Sequence, residues 1–196
     1  MSGPGIMTER KNTFSGLFRR FARDERGVGA IEFAILFPVL LMLYLGAFEL
    51  TVGLNVSKRA SRSAGSIADI VSQQSSVSKS VLATMTSVAG AIFAPYTTTG
   101  LTLKITGIAI DATGNATVAW SWAQDGTRPY ISGTTLTVPA NMNQASTFLV
   151  RSELALPYQL LSFGSNFLPS GTNQITISRQ YYYRQRVGTS ISCSDC

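Results

Sequence analysis

Between Glu32 and Glu49 the chain reads FAILFPVLLMLYLGAF, sixteen residues from Phe33 to Phe48 without a charge. Its apolar residues cover every face of a helical wheel instead of one stripe, and a helix that is apolar all round belongs in the centre of a large protein or in a bilayer. Sixteen residues fall slightly short of a span. Val28 to Ile31 before the run and Leu50 to Val56 after it extend the segment to residues 28–56, roughly 43 Å at the helical rise against a hydrocarbon core of about 30 Å. The expectation is one transmembrane helix over 28–56.

The charges around this helix orient it. Arg10, Lys11, Arg19, Arg20, Arg23 and Arg26 precede it, whereas only Lys58, Arg59 and Arg62 follow closely. Positive charge stays on the cytoplasmic side, so residues 1–27 read as a cytoplasmic basic leader and everything after the span as exported. A cleaved secretory signal fits poorly, because the apolar stretch is long and no clear A-x-A site follows it.

Composition bears on chemistry by what it removes. The chain has no histidine, and with it go the usual general base, the Ser-His-Asp and Cys-His nucleophile systems and imidazole metal ligands. No catalytic residue, cofactor or metal site is expected, and the chain reads as a non-enzyme. The formal charge of +6 does not point to nucleic acid, because the exported part lacks the basic-aromatic clustering that phosphate binding uses. Glu32 and Glu49 are seventeen positions apart, about 100° apart on the wheel, so they do not form a paired-carboxylate site.

Where leader meets helix the order is Arg26-Gly27-Val28-Gly29-Ala30-Ile31-Glu32-Phe33, with Glu the fifth residue after Gly27. Ala34, Pro38, a Leu-rich stretch and Gly46-Ala47-Phe48-Glu49 continue it. From about Arg23 to Gly65 this pattern resembles the TadE-like family of tight-adherence pilus systems, and TadF-like relatives share it. TadG-like relatives fit less well, since their D-x-S-x-S metal-binding signature is missing. The resemblance implies a prepilin peptidase cut between Gly27 and Val28, and an assembly role for Glu32, Phe33 and Pro38. It implies a structural minor pilin or pseudopilin of a Flp-type (type IVb) pilus used in adhesion. Such a protein sits in the bacterial inner membrane by one pass with its C-terminal domain in the periplasm. Its expected partners are other pilus-assembly subunits, the peptidase, membrane lipid and further copies of itself. The alternative class is a membrane-anchored periplasmic binding or sensing module.

Physical reasons accompany the motif. A carboxylate near a membrane boundary is costly unless solvated or paired, so Glu32 either pairs with the Val28 ammonium that cleavage exposes on a neighbouring subunit or reaches the headgroups. Pro38 removes the N–H that the Ala34 carbonyl would accept, which membrane helices tolerate. Ala30 with Ala34, and Gly46 with Gly53, set small residues where another helix can approach.

The exported part reads as α+β. Residues 57–95 are expected to be a helical stalk: Ala60, Ala64, Ile67, Ala68 and Val71 fall at helical spacing, and a second helix runs from Val77 to Phe93 with Val81, Met85, Val88 and Ile92 toward the core. Residues 96–196 read as a strand-rich domain. LTLKITGIAI and ATVAWSWAQ flank the turn DATGN as an antiparallel hairpin, with Val118, Trp120 and Trp122 on one face. Further strands are expected at Thr134–Val138, Thr147–Leu156 and Gln174–Gln185. Asp111, Thr113 and Asn115 read as a plain turn lacking the later bidentate Glu of a calcium loop. Tyr181 to Tyr183 with Arg179, Arg184 and Arg186 form either a contact surface or one solvated strand face. Cys193 and Cys196 cannot complete a zinc site alone and are expected to form a local disulfide in an oxidising periplasm.

Overall fold

The computed structural model describes residues 27–160 and 174–196; the basic leader, apart from Gly27, lies outside the described residues. The chain divides into two compact units between Phe48 and Glu49. Helix α1 (Val28–Ser72, 45 residues) begins in the first and continues into the second. In the first unit its side chains are exposed on all sides, only Leu45 being half-buried, and the helix runs through Pro38 without interruption.

The second unit is an α+β domain. After α1 come β1 (Ser76–Val77), α2 (Lys79–Phe93), β2 (Thr102–Ile110), β3 (Ala116–Ala123), β4 (Thr147–Gln159), β5 (Gln174–Arg184) and β6 (Ser192–Cys193). The main sheet has the order β3-β2-β4-β5, antiparallel throughout, while β1 and β6 pair in parallel. Strand alternation divides the sheet's apolar residues between two faces. Leu103, Ile105, Trp120, Trp122, Val150, Leu154 and Leu156 meet the buried stripe of α1 (Val56, Ala60, Ala64, Ile67, Ala68, Val71) and that of α2 (Leu82, Met85, Ala89, Phe93). Small residues on the α1 stripe let the sheet approach closely, and a Cβ added at Gly65 would sit 3.7 Å from the Tyr181 ring. The other face carries Ile108, Ile110 and Leu149 beneath Val138, Leu136 and Met142 of the long β3–β4 connection. Each large aliphatic side chain buried this way contributes about 1.5–3 kcal/mol by removal from water.

Three local expectations are corrected. Helix α2 starts at Lys79, because Val77 pairs with β6 and Ser78 is the N-cap, its Oγ accepting from the Val81 N–H. That cap sets the helix phase so that Leu82, Met85, Ala89 and Phe93 are buried while Val81 stays 41% exposed. Val118 does not share a face with Trp120 and Trp122. A β-bulge between Gly107 and Ile108 on one strand and Val118 and Trp120 on the other leaves Ala119 unpaired, and one extra residue reverses the facing of what precedes it. Val118 therefore stands opposite Ile108 and Trp120 opposite Gly107. Thr134–Val138 is not a strand: it makes one bridge, Thr117 to Thr135, because β3 begins only at Ala116, and the hairpin turn before it leaves no further partner. Strand β4, by contrast, runs past Leu156 through Pro157, since β2 has already stopped opposite Ala155 and needs no N–H there.

Candidate functional site

The residues read as peptidase site and assembly determinants all lie at the start of α1. Gly27 immediately precedes the helix, and Val28, its first residue, is 50% exposed. Glu32 and Phe33 follow in the second turn, exposed, and the Phe33 ring lies 5.4 Å from that of Phe37 at a tilt of 35°. Glu32 is four residues beyond Val28, one turn or about 6 Å along the axis. A Cβ built on Gly27 meets nothing within 4 Å, and its φ is not in the left-handed region. Among the described residues nothing crowds this position.

The second unit has a junction that no local pattern announces. Glu49, its first residue, accepts a hydrogen bond from the Tyr158 hydroxyl (3.1 Å), which comes from the end of β4. Burial, then the hydrogen bond to the Glu49 carboxylate, pushes the Tyr158 phenol up to about 12, so it stays a donor at neutral pH. A Cβ at Gly53 would sit 3.7 Å from the same ring. Higher on α1, Arg59 donates to the carbonyls of Ile92 (2.9 Å) and Ala94 (2.7 Å), satisfying orphan acceptors at the end of α2, and its guanidinium lies 5.2 Å from the Tyr96 ring.

The Tyr/Arg run of β5 is divided among contacts. Arg179 donates to Ser57 and Ser61 of α1, Tyr181 covers Gly65, Tyr183 packs on the main core and Tyr182 on the opposite cluster. Arg186 pairs with Asp69 at 2.7 Å, and its N–H donates to the Ser72 carbonyl. The tail beyond it is pinned: Trp120 Nε1 donates to the Ile191 carbonyl (2.7 Å), and the Asp195 carboxylate accepts from the Lys79 N–H at the start of α2. Cys193 and Cys196 are joined, Cα atoms 5.6 Å apart. With Asp195 they are the one group among the described residues with clustered metal-ligand atoms, but the two sulfurs are committed to each other.

Charged groups at Asp111 and at Arg151 are held by near neighbours. The Asp111 carboxylate accepts from the Thr113 hydroxyl (2.7 Å) and from the backbone N–H groups of Thr113 and Asn115, and these bonds lower it to about 2. That is a closed turn, with the acid's oxygens turned onto its own loop. Arg151, buried on the second sheet face, lies 4.5 Å from the Tyr130 ring and 3.0 Å from Glu153, whose other oxygen accepts from the Tyr130 hydroxyl at 3.1 Å. Burial, followed by Glu153, raises the Tyr130 phenol. A shallow depression of about 440 Å³ beside Glu153 is lined by Thr102, Lys104, Ser178 and Gln180.

α1 is the one helix among the described residues long and apolar enough to cross a membrane. The family model of TadE-like proteins matches residues 27–68, from Gly27 through the buried stripe of α1 to Ala68. The match points to tight-adherence pilus assembly, in which TadE-like proteins are structural components. No curated protein and no solved structure matches the chain.

Proposed function

We propose that this chain, with its TadE-like segment at residues 27–68, is a minor pilin or pseudopilin of a Flp-type tight-adherence pilus. In this reading residues 1–27 are removed on the cytoplasmic side by a prepilin peptidase, α1 is held in the bacterial inner membrane, and the α+β domain stands in the periplasm. The family match over the Gly27–Glu32 segment carries the reading. Two physical features support it. Among the described residues nothing crowds Gly27, which leaves the position open to recognition by another protein. The apolar face of residues 28–48 is exposed all round, suited first to lipid and then to packing against other subunits.

Cleavage after Gly27 creates an ammonium on Val28. Val28 and Glu32 are one turn apart, so each subunit brings a positive and a negative group to nearly one membrane level. A neighbour offset by about one turn along the helix axis pairs its ammonium with this carboxylate, offsetting the cost of either charge in a low-dielectric setting. Phe33 and Pro38 shape the same face, and other pilus subunits are the partners it meets. Intact mass of the membrane-extracted protein tests the reading. The expected species begins at Val28, and a Gly27→Val variant accumulates uncut. Wild-type protein that keeps Met1, or a Gly27→Val protein that still begins at Val28, refutes it.

A further inference from the structure

Helix α2 begins with the wrong charge. Lys79 stands at its first position and no acidic residue lies in its first turn, although a helix N-terminus favours negative charge and leaves its first N–H groups without partners. The acid comes from 116 residues away: both carboxylate oxygens of Asp195 accept from the Lys79 N–H, at 3.0 and 3.2 Å. Asp195 lies between Cys193 and Cys196, inside the ring that their disulfide closes.

The segment from Ile191 to Cys196 has further holds on the second unit. Ile191 is buried in the main core, and its carbonyl accepts from Trp120 Nε1. Ser192 and Cys193 pair with Ser76 and Val77, and both cysteines, half-buried, pack against the same core. Each hold is small. A ladder of two residue pairs is marginal by itself, and an exposed bond such as that from Lys79 to Asp195 exchanges readily for bonds to water. The ring keeps the holds in step: it fixes the Cα atoms of residues 193 and 196 at 5.6 Å, so that Asp195 meets Lys79 while Cys193 lies on β1. Its cysteines are three positions apart, and so short a ring restrains the unfolded chain less than a long-range crosslink does. The link therefore acts mainly on this segment and its seat.

We propose that Cys193 and Cys196 make this segment a redox-operated clasp. Oxidised, it caps the first turn of α2 and fills the Ile191 seat beside Trp120. Reduced, it lets go, uncovering that turn and the β1 residues Ser76 and Val77, while the four-stranded sheet stays formed. The opening step takes two electrons and two protons from a dithiol. One of its thiolates attacks a cysteine sulfur, its second thiol resolves the mixed disulfide, and it leaves as a cyclic disulfide with Cys193 and Cys196 as thiols. Docking and oxidation are linked reciprocally, so whatever loosens the seat eases reduction by the same factor. The clasp goes beyond the pilus reading and does not depend on it.

Hydrogen exchange of the detergent-solubilised full chain, read by mass spectrometry with and without dithiothreitol, tests the clasp; Cys193 and Cys196 are the chain's only cysteines. Reduction is expected to speed exchange in peptides covering 76–82 and 187–196 by about tenfold or more, with 102–110 and 147–156 unchanged. Ile191→Ala shortens the buried anchor without touching the sulfurs. It is expected to raise the reduced-to-oxidised ratio of the pair about tenfold at a fixed dithiothreitol couple, with the same two strand peptides showing that the sheet is formed. Equal exchange at 76–82 in the two redox states of the parent chain overturns the clasp, as does a ratio in Ile191→Ala like that of the parent. Faster exchange at 102–110 and 147–156 on reduction also overturns it, since the disulfide then holds the whole unit and not this segment.

Discussion

Gly107 is the residue whose replacement the packing forbids most clearly. It stands opposite Trp120 across the β2–β3 bulge, and the indole lies on it so closely that an added Cβ would land on the ring's Cε2, 2.5 Å from Nε1 and 2.8 Å from Cζ of Phe148. Carbon atoms pack at about 3.5–4.0 Å, so Gly107→Ala forces the indole back by about 1 Å. That motion stretches the bond from Nε1 to the Ile191 carbonyl from 2.7 Å past the useful limit of about 3.2 Å. Overpacking of this kind costs about 1–3 kcal/mol, and the lost buried hydrogen bond about 0.5–1.5. Alanine's lower unfolded-state entropy returns about 0.4–1, leaving a net loss of about 2–3 kcal/mol, large against a domain stability of about 5–15. Urea unfolding of the detergent-solubilised full chain measures it through Trp120 and Trp122, the chain's two tryptophans, both buried. The midpoint is expected to fall at unchanged slope. In a Trp120→Leu background, with Trp122 as reporter, the same alanine substitution should cost less by about 1 kcal/mol or more, since contacting residues couple. A Gly107→Ala loss below about 0.5 kcal/mol, or an equal loss in both backgrounds, refutes the packing argument.

Three further outcomes are expected. Glu32→Ala should leave membrane insertion and cleavage intact yet weaken crosslinking to pilus-machinery partners at equal membrane abundance; unchanged crosslinking with normal piliation rejects the pairing role. The Tyr158 phenol is raised in the folded chain from 10.0 to about 12, so its contribution is complete below the unfolded value and is lost as pH climbs toward the folded one, where the unfolded chain gives up its proton first. Tyr158→Phe should flatten the fall of urea stability in that window, and parallel curves for the two proteins count against the Glu49 contact. Arg59→Leu removes two charge-assisted bonds from the end of α2, one of them solvent-exposed, and should cost about 1–2 kcal/mol, with faster amide exchange at the last turn of α2; exchange like that of the parent chain contradicts the cap.

What was legible in the sequence divides by the reach of the interaction that decides it. The apolar run at 33–48, the α1 stripe Ala60, Ala64, Ile67, Ala68 and Val71, and the hairpin around DATGN are each settled by periodicity or turn chemistry within one element, and α+β follows from their order. Val81, Val118 and Thr134–Val138 were misread because a neighbouring strand, a bulge and the end of a ladder decide them, and none of these leaves a mark in the local pattern. The same division holds at the sites. Gly27 to Glu32 is a linear segment read from neighbouring residues alone, whereas Glu49 and Tyr158 are 109 residues apart and Arg59 meets the end of another helix. The two kinds of information converge on α1. Its first turns carry the linear motif, and its residues 56–72 are the centre of the folded core. Ala60, Ala64, Ile67, Ala68 and Val71 pack under the sheet, so a substitution that loosens this stripe weakens the second unit even where the motif itself is untouched.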